Sequence, residues 1–158
     1  MLRTTLDLPG EAATAALAAR LAALLLPGDI VLLSGDLGTG KSFLARALIR
    51  AAAGDPDLEV PSPTFTLVQA YDLPTGALWH FDLYRLASPD EVLELGWDEA
   101  RAGICLVEWP DRLGPLAPAD RLKIELAQAE GEADARTAVL TGLGARGVAL
   151  ARALQAGP

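Results

Sequence analysis

The sequence predicts an α/β fold built on a largely parallel sheet, and three observations carry that prediction. Strand-like and helix-like patterns alternate through the first half of the chain, the order that places helices over a parallel sheet. Ile30–Leu33 is an unbroken apolar run, as a strand covered on both faces requires. Two runs with period-2 alternation, Phe65–Asp72 and Ala77–Tyr84, flank Pro74-Thr75-Gly76, a turn signal that joins them as an antiparallel hairpin.

Taken in order, Leu2–Leu8 reads as a short strand. Glu11–Leu26 is Ala- and Leu-rich and stops at Pro27-Gly28, so it reads as a helix. The buried strand at 30–33 leads into a glycine-punctuated loop, Gly35–Gly40. Lys41–Ala53 is helical in composition and Gly54-Asp55-Pro56 ends it. Pro61 and Pro63 keep 59–64 extended but outside any interior strand. In the second hairpin run, alternation puts Leu78, His80, Asp82 and Tyr84 on one face and Trp79, Phe81 and Leu83 on the other. Ser88-Pro89-Asp90-Glu91 has the form of a capping box and opens a short helix ending near Gly96. Ile104–Val107 is a further apolar strand, closed by Glu108, Trp109 and Pro110. Arg121–Ala127 and Arg136–Leu140 read as late strands, and 142–156 as a terminal helix.

Composition bounds the rest. The 158 residues fit one domain, 1–158, with no internal repeat and no linker long enough to divide it. With 51% hydrophobic and 22% charged residues the chain is neither disordered nor fibrous. A formal net charge of -8 argues against a stand-alone nucleic-acid binder, which needs a basic face to neutralise phosphates. Cys105 stands alone, cannot form an internal disulfide, and suits a reducing compartment. The apolar stretch Leu17–Leu26 is interrupted by Arg20 and is followed by no cleavage site. No window reaches the roughly 18 uncharged apolar residues that a membrane span needs. A cytoplasmic location is the expectation.

The strongest chemical signal is Gly35-Asp36-Leu37-Gly38-Thr39-Gly40-Lys41-Ser42, the full G-x-x-x-x-G-K-[ST] pattern between a buried strand and a helix. Glycines let backbone N–H groups turn inward around a phosphate, and the helix start adds unpaired N–H groups and its dipole. Lys41 can reach the β and γ phosphates and the Ser42 hydroxyl can ligate Mg²⁺. Lys41 is one of only two lysines in the chain. The pattern implies a nucleoside triphosphate and magnesium. The chain has no Asn, so it cannot carry the Asn-Lys-x-Asp motif of common GTPases, which favours ATP.

A phosphate loop also needs a carboxylate for the metal, usually at the end of another buried strand. Glu108 has that position; the alternative is an acidic residue simply leaving the core at a strand end. Asp82 lies between apolar neighbours on the same face as His80, and a buried carboxylate needs a partner: a metal, water or Arg85. Its role is either orienting an attacking water, supporting the magnesium, or pairing with Arg85. His80 reads as a structural histidine, since phosphoryl transfer requires no histidine base. Cys105 reads as core. Ser62-Pro63-Thr64 is either a plain turn or a segment sensing the γ-phosphate through Thr64.

The Gly35–Ser42 loop, Ser62-Pro63-Thr64-Phe65-Thr66, His80-Phe81-Asp82-Leu83-Tyr84-Arg85 and Val107-Glu108-Trp109 together resemble the TsaE (YjeE) family, small bacterial ATPases of tRNA threonylcarbamoyladenosine (t6A) biosynthesis. The resemblance covers Leu8 to Arg136. It implies a P-loop NTPase-like three-layer sandwich with a mostly parallel central sheet and an antiparallel hairpin. It implies ATP bound by Leu37, Gly38, Thr39, Gly40, Lys41 and Ser42, with Mg²⁺ held by Ser42 and Glu108. Ser42 stands where the family commonly has Thr, and either supplies the hydroxyl. The catalytic set it implies is Lys41, Asp82 and Glu108, with Asp82 matching the family's other acidic site residue. Glu11 is implied to lie near the base, and Thr64 and Trp109 beside the nucleotide. Gly131–Arg136 resembles a family loop near the base, although its Glu132-Ala133-Asp134 interior diverges. The implied partners are TsaD and TsaB. TsaD transfers the threonylcarbamoyl group to adenosine 37 of the tRNA, and hydrolysis by TsaE resets the complex. The ATPase is expected to be weak alone and stimulated by those partners, with tRNA met only through them. A small-molecule kinase, or a nucleotide-dependent binding module that barely hydrolyses, are the rival classes.

Overall fold

A strand with no polar side chain over four residues has to be sandwiched, and the architecture follows from that. The computed structural model describes residues 1–157. Seven strands form one sheet: β1 Leu2–Leu8, β2 Ile30–Ser34, β3 Val68–Leu73, β4 Gly76–Asp82, β5 Ile104–Glu108, β6 Arg121–Gln128 and β7 Arg136–Leu143. Their order is β1-β7-β6-β2-β5-β4-β3. β2 is central and pairs parallel with β5 and β6, and β5 pairs parallel with β4. β7 and β3 run against their neighbours, so the other five strands share one direction.

Helices cover both faces. α1 Glu11–Leu24, α2 Lys41–Ala53 and α5 Gly144–Gln155 lie on one side. There Leu17, Leu21, Leu44, Leu48, Leu150 and Leu154 meet Val31, Leu33, Leu106 and Ile124 of the sheet. α3 Glu91–Glu94, α4 Trp97–Ala100 and a 3-10 segment, Pro110–Leu116, lie on the other. There Val92, Trp97 and Leu113 meet Ile30, Leu32, Phe81, Cys105 and Val107. Alternate residues of β2 thus serve two separate cores, which explains its uninterrupted apolar run. This is the three-layer, mostly parallel arrangement expected, but it carries two reversed strands rather than one: the amino-terminal strand joins the sheet through antiparallel β7.

Several boundaries differ from the sequence reading, each for a local reason. α1 ends at Leu24 because Leu26 precedes Pro27, and the chain is already extended at Leu25. β3 starts at Val68 rather than Phe65. Pro63 opens a turn closed by a Leu67 N–H to Pro63 carbonyl bond, and Leu67 takes a left-handed conformation there. The hairpin itself forms as expected, with Leu73 opposite Gly76 across Pro74-Thr75. At the expected capping box, the Ser88 side chain caps nothing. Glu91 reaches back to the Ala87 N–H instead; the short helix ends just before Gly96 as expected, and a second short helix, Trp97–Ala100, follows it. β7 extends to Leu143, so the terminal helix starts at Gly144.

α5 is anchored by one ion pair. Arg146 donates from Nε and Nη2 to the two Asp29 carboxylate oxygens at 2.9 and 2.8 Å, and Asp29 is buried. Asp29 also accepts from the Leu26 N–H, which fixes the turn entering β2. Among the described residues no helix is long and apolar enough to cross a membrane.

Two outcomes follow from this packing. Arg146→Ala leaves the Asp29 carboxylate buried with the Leu26 N–H as its remaining partner. Urea unfolding should show a loss of about 2 kcal/mol, the scale of a charged hydrogen bond. Cys105 is fully buried, its Sγ donates to the Ala100 carbonyl, and burial pushes its thiol up to about 12. Only the thiolate reacts with disulfide reagents. At pH 8 the native protein should therefore react at least about a hundredfold more slowly than the urea-unfolded chain.

Candidate functional site

The site lies where β2, β4 and β5 end, the edge at which open α/β sheets bind ligands. β2 hands the chain to the Gly35–Gly40 loop, and α2 begins at Lys41 after Gly40 in a left-handed conformation. β4 ends at Asp82 and β5 at Glu108, and the two are direct cross-strand partners. The parallel register between two buried strands thus sets two carboxylates side by side, in one cleft with the Gly35–Gly40 loop. A cleft of about 430 Å³ is lined by Leu37, Gly38, Gly40, Lys41, Ser42, Thr64, Asp82, Tyr84, Glu108, Trp109 and Arg136. A groove of about 490 Å³ between α1 and α2 holds none of the expected residues.

Lys41 is buried, and its Nζ donates to the Gly35 carbonyl at 2.6 Å. The same Nζ lies 3.6 Å from the centroid of the Trp109 ring. Burial pulls the ammonium below the usual lysine range, and Glu108, Asp82 and Asp36 oppose that shift without cancelling it. Trp109 is positioned by a left-handed turn (φ 57°) directly after β5, a conformation costly for a bulky residue and favoured here by the cation–π contact. Tyr84 packs on Trp109 with ring centroids 4.9 Å apart.

Glu108 and Asp82 are both buried and both partnered. His80 Nε2 lies 2.7 Å from Glu108 Oε2 and donates to it, while His80 Nδ1 is buried without a partner among the described residues. His80 therefore orients the Glu108 carboxylate. Asp82 Oδ2 accepts from Thr64 at 3.2 Å and Oδ1 accepts from the Tyr84 N–H at 3.1 Å. It does not pair with Arg85, whose guanidinium instead stacks over Phe65 at 4.5 Å from the ring centroid. Thr64 Oγ1 also lies 2.7 Å from the Ser62 hydroxyl, so the 62–64 turn is tied to the carboxylate at the end of β4.

Of the residues expected at the site, Leu37, Gly38, Gly40, Lys41, Ser42, Thr64, Asp82, Glu108 and Trp109 line one cleft. Thr39 and Glu11 do not. They line an adjoining recess of about 50 Å³ with Thr14, Gly40, Phe43, Asp134 and Arg136. Thr39 turns away from the cleft because its hydroxyl donates to the Asp36 carbonyl at 2.7 Å. Ser42, by contrast, is exposed at the head of α2 and lines the same cleft as the buried Glu108; a hydroxyl and a carboxylate are the donor types a hard divalent cation takes. Among the described residues no three His, Cys, Asp or Glu groups could share one ion. A cation held here would thus complete its shell with phosphate oxygens or water, the usual arrangement for magnesium.

Two lining residues escaped the sequence reading. Tyr84 reads as the end of a strand face, and only the chain's turn after Asp82 carries it to the cleft. Arg136 bonds to main-chain carbonyls, Thr39 at 2.8 Å and Gly38 at 3.2 Å, and no side-chain pattern encodes that.

A family model described as threonylcarbamoyl adenosine biosynthesis protein TsaE matches residues 8–138. The tRNA threonylcarbamoyladenosine biosynthesis protein TsaE of Rickettsia bellii is 42% identical over 127 residues, covering 80% of this chain and 88% of its own length. The protein of the same description from Bacillus subtilis is 38% identical over 135 residues, covering 84% and 82%. The crystal structure of YdiB from Bacillus subtilis superposes with a TM-score of 0.78 at 30% identity, covering 98% of this chain and 95% of that one.

The loop geometry makes its first glycine testable. Gly35 has φ +143°, and a Cβ there would sit 2.4 Å from the Leu126 carbonyl oxygen and 2.7 Å from Thr39 Oγ1. Gly35→Ala should cost about 1–3 kcal/mol in thermal or urea unfolding. Gly10→Ala, where a Cβ meets nothing within 4 Å, is the control and should lose less, about 0.5 kcal/mol, the scale of a weakened N-cap of α1.

Proposed function

The chain belongs to the TsaE family, and from that premise we propose that it is a magnesium-dependent ATPase of tRNA t6A biosynthesis, working with TsaD and TsaB. The observation that carries the reading is the single cleft joining Lys41 and Ser42 at the head of α2 to Asp82 and Glu108 at two adjacent strand ends. That is the charge arrangement phosphoryl transfer needs, because such catalysis consists mainly of positioning and electrostatic stabilisation.

Each residue has a task under this reading. The backbone N–H groups of 37–42 and the start of α2 receive the phosphates. Lys41 exchanges the Gly35 carbonyl for β- and γ-phosphate oxygens, keeping its contact with Trp109. Ser42 and Glu108 would hold Mg²⁺, which supplies neutralisation of the charge that develops on the phosphate oxygens. His80 keeps the Glu108 carboxylate in place for that task. Asp82 accepts a hydrogen bond from the attacking water, and Thr64 holds Asp82 toward it. Glu11 faces the base from the adjoining recess. ATP is favoured over GTP because the chain, lacking Asn, cannot present the common guanine motif.

The net charge of -8 supports contact with proteins rather than with tRNA directly. In this role the partners hold the tRNA, TsaD transfers the threonylcarbamoyl group, and ATP hydrolysis here resets the complex between rounds. Turnover alone is therefore weak and rises when both partners are present.

The test is t6A formation on unmodified tRNA with both partners, with and without this protein. The first round should proceed without it and later rounds should stall. Glu108→Ala and Asp82→Ala should lower ATP turnover by about a hundredfold or more while ADP binding is kept within a few fold. Lys41→Ala should abolish productive phosphate binding. Unchanged turnover in both carboxylate variants would overturn the ATPase reading in favour of a binding module. A phosphorylated small-molecule acceptor would overturn it in favour of a kinase.

A further inference from the structure

Arg136 occupies a place that the nucleotide chemistry above does not use. It is the first residue of β7, and its guanidinium reaches across to the phosphate loop. Nε donates to the Thr39 carbonyl at 2.8 Å and Nη2 to the Gly38 carbonyl at 3.2 Å. Nη1 donates to the Ala133 and Ala135 carbonyls at 2.7 and 2.9 Å. One rigid fork thus ties two loops together through four main-chain oxygens, a geometry that the single ammonium of lysine cannot reproduce.

The phosphate loop can present N–H groups to a ligand only if its carbonyls point away from it. Two of those carbonyls are the ones Arg136 holds. Lys41 also braces the loop, through the Gly35 carbonyl, but that tie is given up when the ammonium turns to a phosphate. The Arg136 bonds hold main-chain carbonyls and do not involve Lys41, so they are independent of that turn. On its other side, the 129–135 loop, exposed at 130–134, is closed among the described residues by two backbone bonds, Ala129 N–H to Ala135 and Ala135 N–H to Glu132. Arg136 also lines both the main cleft and the recess that contains Glu11 and Asp134.

We infer that Arg136 is a positioning residue that preorganises the phosphate loop and couples it to the 129–135 loop, so that order in either loop raises the phosphate affinity of the cleft. The inference rests on the phosphate-binding reading of this cleft, not on hydrolysis or on the tRNA pathway.

The experiment compares the wild-type chain with R136A and R136K, using pyrophosphate and ADP as probes. R136A should weaken both by a similar factor of about ten, the scale set by losing a small hydrogen-bond network. At saturating ATP its kcat should stay within about threefold, so the loss appears in KM. Amide hydrogen exchange of the unliganded protein should speed up in 37–41 and in 130–135 together, with β2 and α5 unchanged. R136K keeps the charge but not the fork, so it should recover only part of the affinity, and exchange should stay fast in both loops. Binding within twofold of wild type in R136A would overturn the inference. So would a loss confined to kcat with ADP affinity kept, which would make Arg136 a direct γ-phosphate contact. Full recovery of affinity in R136K, or faster exchange confined to one loop or spread over the whole sheet, would also overturn it. If the wild type hydrolysed no ATP yet R136A shifted pyrophosphate affinity and exchange as stated, the ATPase reading would fail while this inference stood.

Discussion

The pairing of β2 with β5 and β6 is the constraint on which the remaining architecture depends. From Ile30 to Leu33 the strand is buried on both faces, so no water can satisfy its backbone. Every N–H and C=O must be met by a neighbouring strand or pay a large desolvation cost. The parallel register that results fixes more than the core. It ends β2 at the phosphate loop and sets Leu33 opposite Glu108. Through β5 it then sets Glu108 opposite Asp82. The position of two carboxylates relative to Lys41 is therefore a consequence of backbone hydrogen bonding between apolar strands. Substitutions deep in β2 or β5 would displace the site without touching it.

Under the proposed function, the electrostatics of the cleft are poised against the ligand it would bind. Asp36, Asp82 and Glu108 all act on Lys41, and the ammonium is the charge on which they converge. A polyphosphate approaching Lys41 also approaches two carboxylates in a low-dielectric setting. That juxtaposition suits a ligand that arrives with a divalent cation and disfavours a bare anion. Trp109 contributes in the same sense. Its ring face stabilises the ammonium without adding a formal charge.

Much of this was legible from residue order. The phosphate loop is defined by glycine spacing and the strand–helix context. Period-2 alternation placed His80 and Asp82 on one face, and the apolar run before Glu108 placed that carboxylate at a strand end. What stayed hidden involves partners without a side-chain signature. Arg136 bonds to carbonyls of residues that any sequence has, nearly a hundred positions away. The left-handed turn at Trp109, which aims the indole at Lys41, leaves no mark in composition. Ser88-Pro89-Asp90-Glu91 carries a sound local signal, yet Glu91 is drawn to the Ala87 N–H. Arg85 is near Asp82 in sequence but is held over Phe65 instead.

The antiparallel seam between β1 and β7 has a consequence for biosynthesis of the chain itself. Leu8 pairs with Arg136 and Leu2 with Gly142, so β1 has no partner until β7, more than a hundred residues later, exists. At ordinary translation rates that gap is on the order of ten seconds, long compared with the formation of any single helix or hairpin. β2 waits as well, since Val31 needs Leu106 and Leu122 on its two sides. The Gly35–Gly40 loop thus emerges long before Arg136, which holds two of its carbonyls and arrives with β7. Under the proposed function, a nascent chain would be unable to hold nucleotide until its sheet was complete, which makes ligand binding a late report on correct folding.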